Sequence, residues 1–300
     1  MPPPPRFAAE QARRNRARDG HWQASANHRN RVSECLLSLT HGTPGRLCLL
    51  GAGNANDLDL PRLLAAYGEV HLVDLDTEAL QRGVARQLPD HDRRKLRLHG
   101  GTDVTGICDA LETLNGRLTQ PSAELEKLIQ DAADPVLPFL PGPFDVVASV
   151  GTISQLIDAV VQAVPATAPH FMDLLLSVRS GHLRLLARLT APGGRGLLIT
   201  DFVSSATVPE LATLAEAELA PLAERLAVER NFFHGLNPLL VPMLFSQDPV
   251  LRPLIAGTRH QGYWLWDQQS RMYAVLAVEF ERSAALCRIV SEVEHDREIE

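Results

Sequence analysis

The sequence predicts an α/β fold, a doubly wound and mostly parallel sheet of seven strands with an antiparallel last strand, preceded by an N-terminal helical extension. Three observations predict it. Short apolar runs alternate with helical stretches from residue 46 to residue 200, the pattern of βαβ units. These runs are almost continuously apolar, as in Arg46-Leu-Cys-Leu-Leu50, which suits strands covered on both faces. Two later runs, Gly262 to Trp266 and Met272 to Phe280, are joined only by Asp267-Gln-Gln-Ser-Arg271, so the sheet closes with a hairpin.

Met-Pro-Pro-Pro-Pro opens the chain and reads as a disordered leader. Phe7 to Leu39 reads as helix interrupted near Asp19-Gly20, so residues 1–40 form an extension outside the sheet. Thr43-Pro44-Gly45 is a breaker, and the first strand follows at 46–50. Leu58 to Tyr67 is a helix with Pro61 in its first turn, where the missing N–H costs nothing. Glu69 to Asp74 is the second strand, and Asp76 N-caps the next helix. Lys95 to His99 and Phe144 to Val150 are the third and fourth strands. Phe171 to Leu189 repeats apolar residues at the helical period, through Leu174, Leu175, Val178, Leu185 and Leu186. Ala191-Pro-Gly-Gly194 reads as a turn leading into a fifth strand, Gly196 to Thr200. The sheet-bearing domain then spans 41–285, with insertions at about 104–143 and 203–256 that are long enough to carry lids or binding loops. Residues 286–300 form an acidic tail.

Composition narrows the function. With 45% hydrophobic residues the chain can bury a large core, and no apolar run approaches the roughly 18–20 residues that cross a bilayer. No secretory signal is visible, so a soluble cytoplasmic protein without membrane partners is expected. Cys35, Cys48, Cys108 and Cys287 are scattered with no Cys-x-x-Cys pair, which points to a reduced compartment and no metal site. A net charge of −7 argues against nucleic-acid binding. The Arg13, Arg14, Arg16 and Arg18 cluster reads as a solvated helix face. Lysine occurs only at Lys95 and Lys127, an arginine bias typical of a GC-rich bacterial genome.

The chemistry concentrates at the first strand's end. A strand running into Gly51-Ala-Gly53 lets the backbone turn sharply and approach a ligand at the sheet's carboxyl edge. Twenty-one residues beyond Gly53, Asp74 ends the next strand, where a carboxylate can accept both hydroxyls of a ribose. A nucleoside-containing cofactor follows. A dinucleotide fingerprint would place glycine where Asn56 stands, and Asp57 beside it would repel a pyrophosphate. An acid there suits a cationic ligand instead.

At this point the chain resembles the class I S-adenosylmethionine (SAM)-dependent methyltransferases, a Rossmann-like fold. Leu49-Leu-Gly-Ala-Gly-Asn54 is similar to their motif I, and Leu72-Val-Asp-Leu-Asp-Thr-Glu-Ala-Leu80 to the motif after strand two. Gly101-Thr-Asp103-Val104, Phe144-Asp-Val-Val-Ala-Ser-Val-Gly151 and Leu189-Thr-Ala-Pro-Gly-Gly-Arg-Gly-Leu-Leu-Ile-Thr-Asp201 resemble the next three in order. The resemblance covers residues 45–203 and the terminal hairpin. It implies SAM as cofactor and a bacterial methyltransferase. Gly51, Ala52 and Gly53 would bracket its methionine part, with Asn54, Asn56 or Asp57 at the amino-acid tail, since no acid ends the first strand. Asp74 would hold the ribose, Leu75 and Val104 would pack on the adenine, and Asp103 would accept from its amine, although Asp103 also suits an N-cap. Ser149 and Val150 would lie beside the reactive methyl.

The expected acceptor is a small molecule, because no Asn/Asp-Pro-Pro-Tyr motif of the nucleic-acid and protein-amide enzymes follows strand four; a homodimer is left open. Gln155, Asp201 and His234 are the candidate catalytic residues, with Thr152 and Ser154 as further pocket groups. Asn231-Phe-Phe-His-Gly235 would form an aromatic lid, and His28 and Arg29 could also cover the site. Trp264 and Trp266 read as core. Another SAM-using transferase, or a SAM-binding protein without catalysis, are the alternatives.

Overall fold

In this computed structural model, residues 6–40, 44–113 and 122–284 are described. The proline leader, Cys287 and the tail at 286–300 lie outside them. Five parallel strands, β1 (Arg46–Leu50), β2 (Glu69–Asp74), β3 (Leu96–Gly100), β4 (Phe144–Val150) and β5 (Thr190–Ser204), are joined by β6 (Ile255–Asp267) and β7 (Met272–Arg282). The order across the sheet is β3-β2-β1-β4-β5-β7-β6. It reverses direction between β1 and β4, which leaves a crevice at their carboxyl ends. β7 is antiparallel to both neighbours, so it lies second from the edge, and β6 is the edge strand. The antiparallel last strand is therefore internal, inserted between β5 and its own hairpin partner.

Side-chain alternation along the strands builds two cores. Leu47 and Leu49 of β1 face one side, Cys48 and Leu50 the other. The first core is covered by α2 (Ala26–Leu37), α3 (Leu60–Ala66) and α4 (Thr77–Gln87), and the second by α5 (Cys108–Thr113), α6 (Ala123–Ala133), α7 (Thr152–Ala163) and α8 (Phe171–Leu189). Leu174, Leu175 and Leu186 of α8 are fully buried, each contributing about 1.5–3 kcal/mol. A Cβ on Gly181 would stand 1.9 Å from the Ala132 carbonyl, so α6 and α8 approach closely only because that residue is glycine.

Local signals hold where the physics is local. Asp76 accepts from the Ala79 amide at 3.0 Å and caps α4, and Asp59 caps α3 with Pro61 in its first turn. Two strand readings are corrected. Ala191-Pro-Gly-Gly194 is not a turn before β5 but a wide bulge inside it. Thr190 pairs with Phe144 and Arg195 with Val146, while Gly193 takes φ +76°. β6 starts at Ile255 rather than Gly262, since its first half is exposed and carries no apolar alternation. The connections at 104–143 and 203–256 carry α5, α6, α9 (Leu219–Glu229) and α10 (Val241–Gln247).

The N-terminal extension comprises α1 (Arg6–Ala17), a 3-10 turn (Asp19–Trp22) and α2. It is pinned to the domain by aromatic and cationic contacts. His28 stacks on Trp266 with centroids 4.2 Å apart and accepts from the Trp264 indole at 2.9 Å. Arg86 of α4 lies over Trp22 at 5.3 Å, and Arg29 donates to the Asn56 carbonyl at 3.0 Å. Trp264 and Trp266 are buried on one face of β6, as their alternation with Leu265 suggests.

Candidate functional site

At the end of β1 the backbone reverses through Gly51 (φ +73°) and Gly53 (φ +49°). Their amide neighbourhood ties two strands together, since Gly51 and Ala52 both donate to the Val73 carbonyl, at 2.8 and 3.0 Å. The start of α7 presses on this turn. Thr152 Oγ1 donates to the Leu50 carbonyl at 2.9 Å, and a Cβ on Gly51 would lie 2.0 Å from that oxygen.

Asp74 closes the turn from the next strand. One carboxylate oxygen accepts from the Gly53 amide at 2.7 Å and the other from the Asp76 amide at 2.8 Å. Burial nevertheless outweighs those donors and pushes the carboxyl up to about 6. Asp74 lines a small cavity with Gly51, Leu75, Asp103 and Val104. Asp103 works as a cap as well, accepting from the Thr105 amide and hydroxyl and from the Cys108 amide at 2.8, 2.6 and 2.8 Å.

A larger cavity of about 500 Å³ opens beyond the ends of β4 and β5. Ser154 donates to Asp201 at 2.6 Å on its inner side. Burial raises the Asp201 carboxyl, offset in part by that hydroxyl. Phe232, Phe233, Trp266 and Tyr273 give it aromatic walls, and His234 is exposed at its rim with its ring edge-on to Phe171. The 231–235 segment thus lies over the β5 side of the crevice, with the Phe233 amide donating to the Phe202 carbonyl at 2.7 Å.

Gln155 lines both cavities. Its amide donates to the Gly151 carbonyl at 2.9 Å, and its oxygen accepts from Gln11 of α1 at 3.1 Å. The partition between the cavities is completed by Arg14, which pairs with Asp158 at 2.7 Å.

The structure thus brings Gly51, Asp74, Leu75, Asp103, Val104 and Gln155 to one cavity and Gln155, Asp201 and His234 to the other. It does not bring Ser149 or Val150 to either. The pleat turns Ser149 into the core, where it is fully buried against His182 at 2.8 Å, and Val150 packs into the opposite core. Ala52 and Gly53 lie in the turn itself. Asn54 points at α1, donating to the Asn15 carbonyl at 3.1 Å. Asp57 sits behind the turn, 4.0 Å from His28. Burial pushes Asp57 up to about 6 and His28 down to about 3, so the imidazole is neutral and the two do not form an ion pair. His28 and Arg29 therefore brace the turn from behind and line neither cavity.

The residues that sequence reasoning missed come from α1. Gln11, Arg14, Asn15 and Arg18 recur at helical spacing on one face, and Asn15 alone is buried. Asn15 donates to Asp76 at 3.1 Å, while Arg14 and Arg18 line the larger cavity. The arginine cluster is a solvated face only for Arg13 and Arg16, whose side chains are 72% and 59% exposed. The available signal was the polar period itself, which an apolar search passes over.

No protein-family model matches the chain, and no curated protein does. Among solved structures it is similar to the YcgJ protein of Bacillus subtilis, at 11% identity over 84% of this chain and 98% of that one, with a TM-score of 0.46. It is also similar to the N-methyltransferase NodS of Bradyrhizobium japonicum, at 12% identity over 89% and 99%, TM-score 0.38. A third likeness is to a geranyl diphosphate methyltransferase solved with SAM, at 11% identity over 83% and 84%, TM-score 0.40. The class I methyltransferase fold itself is given by the chain's own strand order, its reversed β7 and the glycine turn closing β1. Among the described residues no helix is long and apolar enough to cross a membrane.

Proposed function

We propose that the protein is a SAM-dependent methyltransferase acting on a small-molecule acceptor, with 41–285 as its catalytic unit and 1–40 as a helical cover. The observation that carries this reading is Asp74. A desolvated carboxylate joined to the glycine turn lines one cavity, and a second cavity beyond Gln155 holds another desolvated carboxylate, Asp201. The first suits a ribose diol and the second an incoming nucleophile.

When bound, SAM would supply an electrophilic methyl on a sulfonium. The chain's own residues would do the rest. Gly51, Ala52 and Gly53 leave room for the methionine part, and Asp74 would accept from both ribose hydroxyls. Leu75 and Val104 would pack on the adenine. Asp103 would use the lone pairs that Thr105 and Cys108 leave open. Arg18, whose guanidinium makes no hydrogen bond among the described residues, would pair with the amino-acid carboxylate. Asn54 and Asp57 would support that arginine, Asn54 by holding α1 and Asp57 by its field. Gly151, rather than Ser149 or Val150, borders the larger cavity at the end of β4. Asp201 would take the acceptor's proton, kept in place by Ser154, while Gln155 would orient the acceptor and His234 would close the rim.

A calorimetric titration tests the reading. S-adenosylhomocysteine at about 100 times its dissociation constant should add roughly 2.7 kcal/mol of stability, and NAD should add none. Absence of heat and of any melting shift with S-adenosylhomocysteine would overturn it. Mass analysis of the product then separates a transferred methyl from a larger SAM-derived group.

A further inference from the structure

We propose that the β6–β7 hairpin clamps an acceptor that is aromatic and carries an oxyanion, a carboxylate or a phosphate. The inference deepens the methyltransferase reading and rests on it. Four side chains lining the larger cavity come from this one hairpin: Trp266, Gln268, Arg271 and Tyr273. Their hydrogen-bonding ledger is lopsided toward donors. The Trp266 indole N–H is buried without a partner, in a residue only 7% exposed. The Arg271 guanidinium makes no hydrogen bond or ion pair among the described residues.

The carboxylates around the same cavity are partly used, each through one oxygen. Asp158 is taken by Arg14 and Gln162, and Asp201 accepts from Ser154. The spare donors are completed by a ligand rich in lone pairs, since a buried donor left unpaired keeps its full desolvation cost. Charge points the same way. In a protein of net charge −7, three arginines, Arg14, Arg18 and Arg271, line this cavity against two aspartates, and with Arg14 paired and Arg18 turned to the cofactor's carboxylate, Arg271 is the cation left for the acceptor. One aspartate is neutralised by Arg14, and burial disfavours the charge of the other.

Shape supplies the aromatic part. Trp266 packs on Tyr273 with centroids 5.7 Å apart, and Phe233 on Tyr273 at 6.4 Å, so the three rings form one continuous aromatic wall against which a ligand ring can stack. Arg271 and His234 are exposed, whereas Asp201 is 8% exposed, so the oxyanion would sit toward the mouth and the nucleophile toward Asp201. That polarity keeps the anion away from the buried carboxyl.

The experiment first measures S-adenosylhomocysteine binding, then, with it present, the affinities of four probes at millimolar concentration. Benzoate and phenyl phosphate carry the oxyanion, benzamide is the neutral analogue and benzylamine the cation. We expect both or one of the anions to bind about tenfold more tightly than benzamide, and benzylamine to bind weakest. Which anion leads separates carboxylate from phosphate. Arg271→Gln should remove that preference and leave S-adenosylhomocysteine affinity unchanged. Equal affinities for anion and amide, failure of both anions to bind, or an undiminished preference in Arg271→Gln would each overturn the proposal. Anion preference without S-adenosylhomocysteine binding would overturn the cofactor reading alone and leave the clamp standing.

Discussion

The crevice has two halves that are built differently. On the β1–β3 side, the groups that line the small cavity from the domain itself lie within Gly51 to Cys108, at or just beyond the ends of adjacent strands, and along α7. On the β4–β5 side, the larger cavity gathers Arg14 and Arg18, Ser154, Asp201, Phe233 and the hairpin residues Trp266 to Tyr273 from segments across the chain. The first half uses backbone geometry and two carboxylates, Asp74 and Asp103, at or just beyond strand ends. The second uses side chains from mobile-length connections, so its chemistry can vary without disturbing the sheet. On the proposed reading, recognition of a cofactor and selection of an acceptor are separated in the architecture, with Arg14 and Gln155 lining both cavities.

Three substitutions would break or sharpen this division. The largest effect is expected at Asp201. Asp201→Asn keeps the bond from Ser154 but removes the proton acceptor, so turnover should fall about 10²–10⁴-fold with S-adenosylhomocysteine affinity intact. Steady-state rates and calorimetry together check it; equal losses in both would erase the boundary between the halves.

A structural break on the cofactor side should be next. Gly51→Ala meets both a φ of +73° and Thr152 at 2.0 Å. It should cost about 2–4 kcal/mol in denaturant unfolding and abolish S-adenosylhomocysteine binding, since strain and overpacking add. A stable variant that still binds would mean the turn has more room than this packing allows.

The smallest expected effect is a pH dependence. Asp74 has its folded pKa raised to about 6 by burial, and the charged form is the one that accepts from two hydroxyls. Cofactor affinity should therefore be full above pH 7 and fall as pH drops through about 6, approaching one decade per pH unit below it. The sign for folding is opposite. An acid whose folded pKa lies above its unfolded value of 3.8 favours the folded state as pH falls from about 6 towards 4. Titrations of Asp74→Asn should be flat over this range. A parent protein with pH-independent affinity would remove Asp74 from the ribose site.

Reading the sequence alone succeeded where neighbours in the chain are neighbours in space. The strand at 46–50, the cap at Asp76, the helix at 171–189 and the glycine turn with Asp74 all follow from periods of two or 3.6 and from short-range hydrogen bonds. It failed at Ala191-Pro-Gly-Gly194, whose turn-forming residues sit in a strand because β4 pairs with both flanks, Thr190 and Arg195, and β7 takes up Arg195 beyond them. Ser149 was placed beside the ligand by its position in a motif. One step of the pleat decides which face it takes, and that face belongs to His182.

The alternation of apolar strands and helices therefore determined the layers, the parallel sheet and the cofactor-side turn, because burying apolar surface on both faces of a sheet leaves few other arrangements. Only the tertiary structure decided that α1 covers the crevice, that Arg14 and Arg18 face a cavity while Arg13 and Arg16 face water, and that the last hairpin supplies its wall. Those contacts join residues more than a hundred positions apart, such as Gln11 and Gln155. They are made by polar side chains whose partners no local period encodes.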